Sequence, residues 1–368
     1  MSDNPAEPRD AHATGAGRLL ARAAAAEVRA YRGLRVAIDD FFLPEETRLD
    51  ERMRSALASL LRGLVETVEG EIRAHSVRQL HGRSEGQLVV ALNAPGESVF
   101  ARLWQSGLLR DPELMAELVS RVRQELIGAA LPMHAPDDPE RPSLINRFVQ
   151  HPDRVVAAGA MAVLIAESRR RTGPDVGQFT RTDLPAELHH RLVWSVAAAL
   201  RERVGEGGEA LDQALSEAAE RSLAAYDEGD RLEATAMRFA SAIDAQRQEL
   251  PALLVESLED RRIVLFVALL GHALGVTYAI ARDVVLDPSG DRLWLALRAL
   301  ELERAYVAHI GYALSEADPR RDLEAFADTL DVIAAVRPQD AREALAPIRL
   351  HPDYRAAVIA LERCGGAE

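Results

Sequence analysis

The 368-residue sequence contains no lysine, so arginine supplies all 44 of its basic side chains. A lysine amine is needed for a Schiff base, for the attachment of pyridoxal phosphate and for the phosphate loop of nucleotide-binding proteins. These three chemistries are therefore excluded. The single cysteine, Cys364, likewise excludes an internal disulfide bond and a zinc site built from several thiolates. Because disulfide bonds are typical of oxidising compartments, we expect a cytoplasmic protein.

Aromatic residues are also scarce: they make up 5% of the sequence, although 48% of its residues are hydrophobic. Alanine and leucine, which both favour helices, provide most of the hydrophobic residues. No run has the alternating apolar and polar pattern of a β-strand. The composition therefore predicts an all-α fold in which helices pack on helices.

Positively charged residues are fewer than negatively charged ones, and the formal net charge is −14. A chain this acidic is repelled by the phosphate backbone of nucleic acids unless its arginines gather on one face. We therefore expect the partner to be another protein rather than a nucleic acid.

Helical periodicity recurs along the sequence. Apolar residues three or four positions apart line one face of a predicted helix in the series Met53, Leu57, Leu60, Leu61, Leu64, Val68 and Ile72. Prolines, which the first turn of a helix tolerates, precede several periodic runs, namely Pro112, Pro152, Pro185, Pro251, Pro338 and Pro352. Some spacings between them are near the roughly 33–47 residues of helical-pair repeats. We predict an irregular α-solenoid of HEAT-like helix pairs, with a multi-helix bundle as the alternative.

Breaks in this pattern suggest how the chain is organised. They lie where proline, glycine and charge accumulate, at residues 132–142, 171–183, 205–208 and 287–290. The predicted parts are a disordered lead-in over 1–17, an N-terminal helical region over 18–135, a central helical-pair region over 143–249 and a C-terminal helical bundle over 250–364.

Residues 263–281 carry no charged side chain, and a stretch of about 18 apolar residues can span a bilayer. Gly271 and Gly275 interrupt this stretch, however, and Thr277 and Tyr278 add polar groups. We therefore predict two short buried helices that meet at a turn, and we do not expect a membrane partner.

Residues 268–286 are also similar to a helix-turn-helix. Small residues lie where the two helices would cross, Gly275 lies at the turn, and Thr277 is placed to cap the second helix. In a DNA-binding protein, Tyr278 and Arg282 of that helix would face the duplex. The acidic chain offers few other base-reading groups, which favours a tight αα-hairpin that buries both helices.

His272 suggests a different chemistry, histidine phosphotransfer. The sequence from His272 to Gly275 is loosely similar to the phosphorylated-histidine box of phosphotransfer helix bundles. Such a site needs an exposed histidine and basic neighbours that hold the phosphoryl oxygens. The lysine usual after that histidine is absent and the surroundings are apolar, which favours a structural role for His272.

Motifs of catalysis, metal binding and cofactor binding are missing from the sequence. Glu187 and His190 show the carboxylate–imidazole spacing of di-iron bundles once, whereas those sites need it twice. No nucleophile elbow, dinucleotide loop or phosphate loop occurs. We therefore predict no catalytic residue, no metal and no cofactor.

Two regions of the sequence together carry a family resemblance. The first is the Ile-Asp-Asp-Phe-Phe-Leu run of residues 38–43, followed by Glu45, Glu46 and a long helical pattern to Leu80. The second covers residues 253–290, with Asp-Arg-Arg-Ile from 260, Leu-Gly-Val from 274 and Val-Val-Leu-Asp from 284. Both resemble a bacterial family known as domain-of-unknown-function family 2336. The resemblance implies an all-helical, repeat-like cytosolic protein and supplies no catalytic residue, since the family has no established activity.

The function expected from these observations is protein binding without catalysis. Stacked helix pairs present extended surfaces suited to that task. We expect a scaffold or regulator that binds another protein, or a second copy of itself as a homo-oligomer, through a helical-repeat surface. DNA binding through residues 268–286 and phosphotransfer through His272 stay open as alternatives. The candidate functional residues are His272, Thr277, Tyr278 and Arg282.

Overall fold

The computed structural model describes residues 48–132, 142–176, 182–205 and 208–351, together with 353–355, 357, 358 and 361. For residues 171–176 it describes the backbone alone. Every regular element within these ranges is a helix, which confirms the all-α prediction. The choice between a solenoid and a bundle stays a prediction. The predicted lead-in over residues 1–17 lies outside the described residues.

The helices before residue 225 in chain order are α1 Glu51–Gly82, α2 Gly86–Asn93, α3 Val99–Ser106, α4 Pro112–Ala130, α5 Leu144–Val149, α6 Arg154–Val176, α7 Ala186–Val204 and α8 Gly208–Ala224. Those that follow are α9 Leu232–Ile243, α10 Leu250–Glu259, α11 Ile263–Leu274, α12 Tyr278–Leu286, α13 Asp291–Ala299, α14 Arg304–Ala317, α15 Leu323–Ala335 and α16 Pro338–Ala344. Short 3-10 turns span Leu108–Arg110, Glu228–Asp230 and Ala346–Arg349.

The prolines predicted to begin helices lie where expected. Pro112, Pro251 and Pro338 occupy the first two positions of their helices, and Pro185 immediately precedes α7. A proline costs no helical hydrogen bond at such a position. Pro352 lies outside the described residues. The periodic series from Met53 to Ile72 is buried throughout, as an amphipathic helix requires.

One loop begins later in the structure than the sequence predicted. Residues 171–183 were expected to be non-helical, whereas α6 continues to Val176, past Gly173 and Pro174. A proline near the C-terminal end of a helix removes one hydrogen bond from the last turn and leaves the preceding turns intact. The predicted break at residues 205–208 is correct, since α7 ends at Val204 and α8 begins at Gly208.

Helix α11 lies at the centre of the hydrophobic core. Nine of its 12 residues are buried, and the helix packs against α4, α9, α10 and α12. Helix α9 packs in turn against α6. Because α4 belongs to the predicted N-terminal region and α11 to the predicted C-terminal one, helix packing crosses the predicted boundaries. The division into regions stays a prediction.

The turn between α11 and α12 matches the predicted hairpin. Gly275 has a φ of 68°, and its amide donates to the carbonyl of His272 at 3.0 Å. The next amide, of Val276, donates to the carbonyl of Gly271, also at 3.0 Å. This pair of bonds closes a helix around a residue with positive φ, for which glycine is best suited. The hydroxyl oxygen of Thr277 then caps α12 by accepting from the amide of Ile280.

A helix crosses a membrane only if it is long and apolar enough to span the hydrocarbon layer. Within the described part of the chain, no single helix is both long and apolar enough to cross a membrane. Helices α11 and α12 meet the requirement only as a pair, and that pair is bent by 115°.

We predict that Gly271→Leu destabilises the fold by about 1–3 kcal/mol, the usual effect of overpacking a core. A β-carbon at Gly271 would already lie 3.1 Å from the β-carbon of Ala281. The control is Gly70→Leu, at a helical site with no atom within 4 Å of an added β-carbon. There the better helix propensity should stabilise the fold slightly. Urea unfolding checks both, and equal effects would contradict the close packing of α11 on α12.

Candidate functional site

His272 lies in the last turn of α11, and its side chain is 32% exposed. Its Nε2 atom is 3.2 Å from Oδ1 of Asp244, the residue that caps the C-terminal end of α9. The imidazole borders a cavity of about 400 Å³. This accessibility is what the phosphotransfer hypothesis requires, and that hypothesis stays a prediction.

Tyr278 and Arg282 both point into the protein. The hydroxyl of Tyr278 donates to Oε1 of Gln124 at 2.8 Å, and the guanidinium of Arg282 donates to both carboxylate oxygens of Glu117 at 2.7 and 3.2 Å. Base reading requires side chains that face a DNA groove. The fold brings these two side chains to α4 instead, and Thr277 caps its own helix. The geometry of these three residues thus fits the tight αα-hairpin better than the DNA-binding alternative.

Arg282 is part of a buried charge cluster that sequence reasoning missed. The buried charge cluster contains three guanidiniums and three carboxylates, all with side chains at most 14% exposed, namely Arg170, Arg231, Arg282, Glu117, Asp183 and Glu233. They come from α4, α6, α9, α12 and the segments that precede α7 and α9. The only signal in the sequence was the arginine run at residues 169–171, which by itself indicates a basic helix end.

Glu233 and Arg170 form the most deeply buried pair of the cluster. Nη2 of Arg170 donates to Oε1 of Glu233 at 2.7 Å, while its Nε donates to Oδ2 of Asp183 at the same distance. Burial raises the pKa of Glu233. The positive charges of Arg170 and Arg231 outweigh this effect and lower the pKa to about 2. The same carboxylates raise the pKa of Arg170 against the opposing effect of burial. Glu233 and Arg170 are therefore both ionised at neutral pH.

His189 lies beside the cluster and is buried. Its Nδ1 atom is 2.9 Å from Oγ1 of Thr182, and its ring stacks on that of Tyr226 with centroids 4.0 Å apart. Burial, with the nearby charge of His190 as a smaller cause, lowers the pKa of His189 to about 4. Burial likewise raises the pKa of the Tyr226 hydroxyl to about 12. His189 is thus a neutral part of the core at physiological pH.

The chemistry of these groups favours structure over catalysis. Each carboxylate of the buried charge cluster contacts a guanidinium, and Glu233, whose pKa is lowered to about 2, is a poor general base or acid at neutral pH. Across the described residues, no three His, Cys, Asp or Glu side chains are grouped so as to hold a metal ion.

Helix α6 carries a second unusual feature, an exposed apolar face. The α6 face consists of Val155, Ala158, Met161, Ala162 and Ile165. Val155 is 68% exposed, Met161 44% and Ile165 46%. The opposite face of α6 is buried in the core, through Val156, Ala160, Val163 and Ala166. An amphipathic surface helix normally shows charged side chains to water, so this apolar outer face is unusual for a surface helix.

The α6 face was visible in the sequence only as an uncharged run. Residues 155–166 contain no charged side chain. Periodicity cannot separate the two faces of such a helix, because apolar residues occupy the whole circumference. The tertiary structure decides that one side packs against α9 while the other faces water.

Comparison with known proteins places the chain in a family. The family model described as an uncharacterised protein conserved in bacteria (DUF2336) matches residues 138–346, more than half of the chain. The chain therefore belongs to this family, as the resemblance of residues 253–290 predicted. The other resembling region, residues 38–80, lies outside the match. No curated protein and no solved structure matches the chain.

We predict that Glu233→Gln costs about 3 kcal/mol of stability, because it leaves buried guanidiniums with too little negative charge. The matched control is Glu228→Gln. Glu228 also pairs with Arg231, but its side chain is 50% exposed, and such pairs contribute about 0–1 kcal/mol. Urea unfolding at pH 7 measures both. A loss below about 1 kcal/mol for Glu233→Gln would refute a stabilising role for the cluster.

A pH dependence follows from His189. Its pKa is about 4 in the folded protein and about 6.5 in an unfolded chain, so protonation favours unfolding. The stability that neutral His189 contributes is present above about pH 6.5 and is lost as the pH falls towards 4. Between pH 7.5 and 5 the loss amounts to about 2 kcal/mol.

The measurement compares His189→Gln with the original protein by urea unfolding at several pH values. We expect the variant to lose about 2 kcal/mol less than the original protein between pH 7.5 and 5. The control is His81→Gln, on the exposed end of α1, which should keep the original pH dependence. Parallel curves for His189→Gln and the original protein would show that this histidine is not the titrating group.

Proposed function

We propose that this chain, a member of the bacterial family DUF2336, is a non-enzymatic protein-interaction module that associates through the α6 face. The observation that carries the proposal is the exposure of Val155, Met161 and Ile165 on a helix face without charge. A surface of this kind loses unfavourable contact with water when a second apolar surface covers it. In this proposal the chain acts as a scaffold or regulator.

A second copy of the chain is the occupant that the α6 face fits best. Copies with a net charge of −14 repel each other, so a contact between them requires a surface without carboxylates. The α6 face is such a surface. A twofold contact brings the same patch of each copy together, and a twofold axis perpendicular to α6 pairs the two helices antiparallel.

The residues of the α6 face match this antiparallel arrangement. Along the helix the larger side chains of Val155 and Ile165 flank the smaller ones of Ala158 and Ala162. Met161 lies between these two alanines, so reversing the helix preserves the order of sizes, and the alanines on either side of Met161 let two helices approach closely.

Sedimentation velocity of the full-length chain tests this proposal. We expect a dimer of twice the 40.2 kDa chain mass at high micromolar concentration. Ile165→Glu should shift the protein to the monomer, because placing a carboxylate in an apolar contact costs about 3 kcal/mol, or more than a hundredfold in affinity. Val332→Glu is the control, as Val332 is 68% exposed on α15 and lies outside the α6 face.

Crosslinking provides a second measurement that does not depend on folding of the Ile165 variant. After Cys364→Ser removes the single native cysteine, Met161→Cys should form a disulfide-linked dimer, because Met161 lies near the middle of the α6 face. Val332→Cys should not. A monomeric original protein at about 100 µM, or equal crosslinking at both positions, would overturn the proposed dimer.

A further inference from the structure

The cavity beside His272 is lined by apolar side chains from four parts of the chain. Its volume is about 400 Å³, within the range of pockets that take small molecules. The buried part of its wall is apolar and consists of Ala240, Leu250, Leu269, Leu274 and Ala299. The cavity could therefore cover the hydrocarbon part of a ligand of about ten non-hydrogen atoms.

Three arginines line the same cavity, namely Arg247, Arg342 and Arg349. They belong to the segment before α10, to α16 and to the 3-10 turn that follows α16. The Nε atom of Arg342 donates to the carbonyl of Ala299 at 3.0 Å, which fixes this guanidinium at the wall. Within the described part of the chain Arg349 has no ion-pair partner. Convergent cations at the edge of an apolar cavity are suited to an anion with an apolar body.

Glu301 shows that an anion fits between two of these arginines. Its Oε1 atom contacts the guanidiniums of both Arg247 and Arg342. The φ of Glu301 is 65°, a conformation that residues with a β-carbon rarely adopt. A carboxylate of the protein itself thus occupies a position between two arginines at the edge of the cavity, while Arg349 adds a third positive charge.

The local charge also differs from that of the whole chain. At the cavity three arginines outnumber the two carboxylates of Asp244 and Glu301, whereas the whole chain carries a net charge of −14. Asp244 is beside His272, so the negative charge at that end directs an incoming anion towards the arginines.

We propose that this cavity binds a small amphiphilic anion, a carboxylate or phosphate monoester whose apolar part lies against Leu250, Leu269 and Leu274. The anionic group is held by Arg349 together with Arg247 and Arg342, in competition with Glu301. The site is separate from the α6 face, and its test does not depend on the oligomeric state of the chain.

Calorimetric titration of the full-length protein at low salt tests the site with four probes. Octanoate and octyl phosphate carry both required features, 1-octanol lacks the charge, and inorganic phosphate lacks the apolar part. We expect one or both of the first two to bind at least about tenfold more tightly than the last two. The tighter of the two identifies the anionic group as carboxylate or phosphate. Equal affinity for all four, or no binding of the first two at millimolar concentration, would overturn the proposal.

Two variants should change the affinity for the tighter probe in opposite directions. Arg349→Gln removes a cation and should weaken binding at least about fivefold. Glu301→Gln removes the competing carboxylate and should tighten binding about fivefold. Arg304→Gln, at an arginine that pairs with Asp331 and does not line the cavity, is the charge-matched control and should have no effect.

These variants also distinguish a specific site from general electrostatic attraction. If the net charge of the acidic chain alone set the affinity, Arg349→Gln and Arg304→Gln would weaken binding equally. That result, or unchanged affinity in Glu301→Gln, would contradict the proposed site.

Discussion

The burial of α11 is the constraint on which the rest of the structure depends. This helix is apolar around its whole circumference, so a neighbour on one side cannot shield it from water. Helix α4, from a distant part of the sequence, packs against it together with the nearby helices α9, α10 and α12. The hairpin at Gly275 allows α12, the next segment of the chain, to take one of these places. The packing of one apolar helix thus determines where the N-terminal and C-terminal parts of the chain meet.

The buried charge cluster is a consequence of this packing. Where α4, α6, α9 and α12 converge, charged side chains leave water, and each buried charge must be matched by an opposite one. Arginine suits this role because its guanidinium stays charged and can bond two carboxylates at once, as Arg170 does with Asp183 and Glu233. In a sequence without lysine, arginine provides every cation of the core. The absence of lysine from the sequence therefore corresponds to a core in which guanidinium groups supply the positive charge.

Features that depend on neighbouring residues could be predicted from the sequence. Contacts between residues far apart in the sequence could not. The all-α class, the cap at Thr277 and the turn at Gly275 depend on residues within a few positions of each other, so their signals are local. The partner of Arg282 is Glu117, which lies 165 positions away. Spacing identifies the face of α12 that carries Arg282 but not what that face contacts. The cavity beside His272 is built from several separate segments, and for this reason its arginines formed no motif in the sequence.

Helix α9 lies between the buried side of α6 and the cavity beside His272. On one side, Gly159 of α6 lies so close to α9 that an added β-carbon would come within 3.0 Å of the ring of Phe239. The next residue, Ala240, lines the cavity beside His272. Neighbouring helical residues point in directions about 100° apart, so α9 separates the α6 contact from the cavity. A shift of α9 relative to the cavity would therefore also change its packing against the buried side of α6. By thermodynamic reciprocity, any anion that changes the affinity between two copies is itself bound more or less tightly by the dimer, by the same factor.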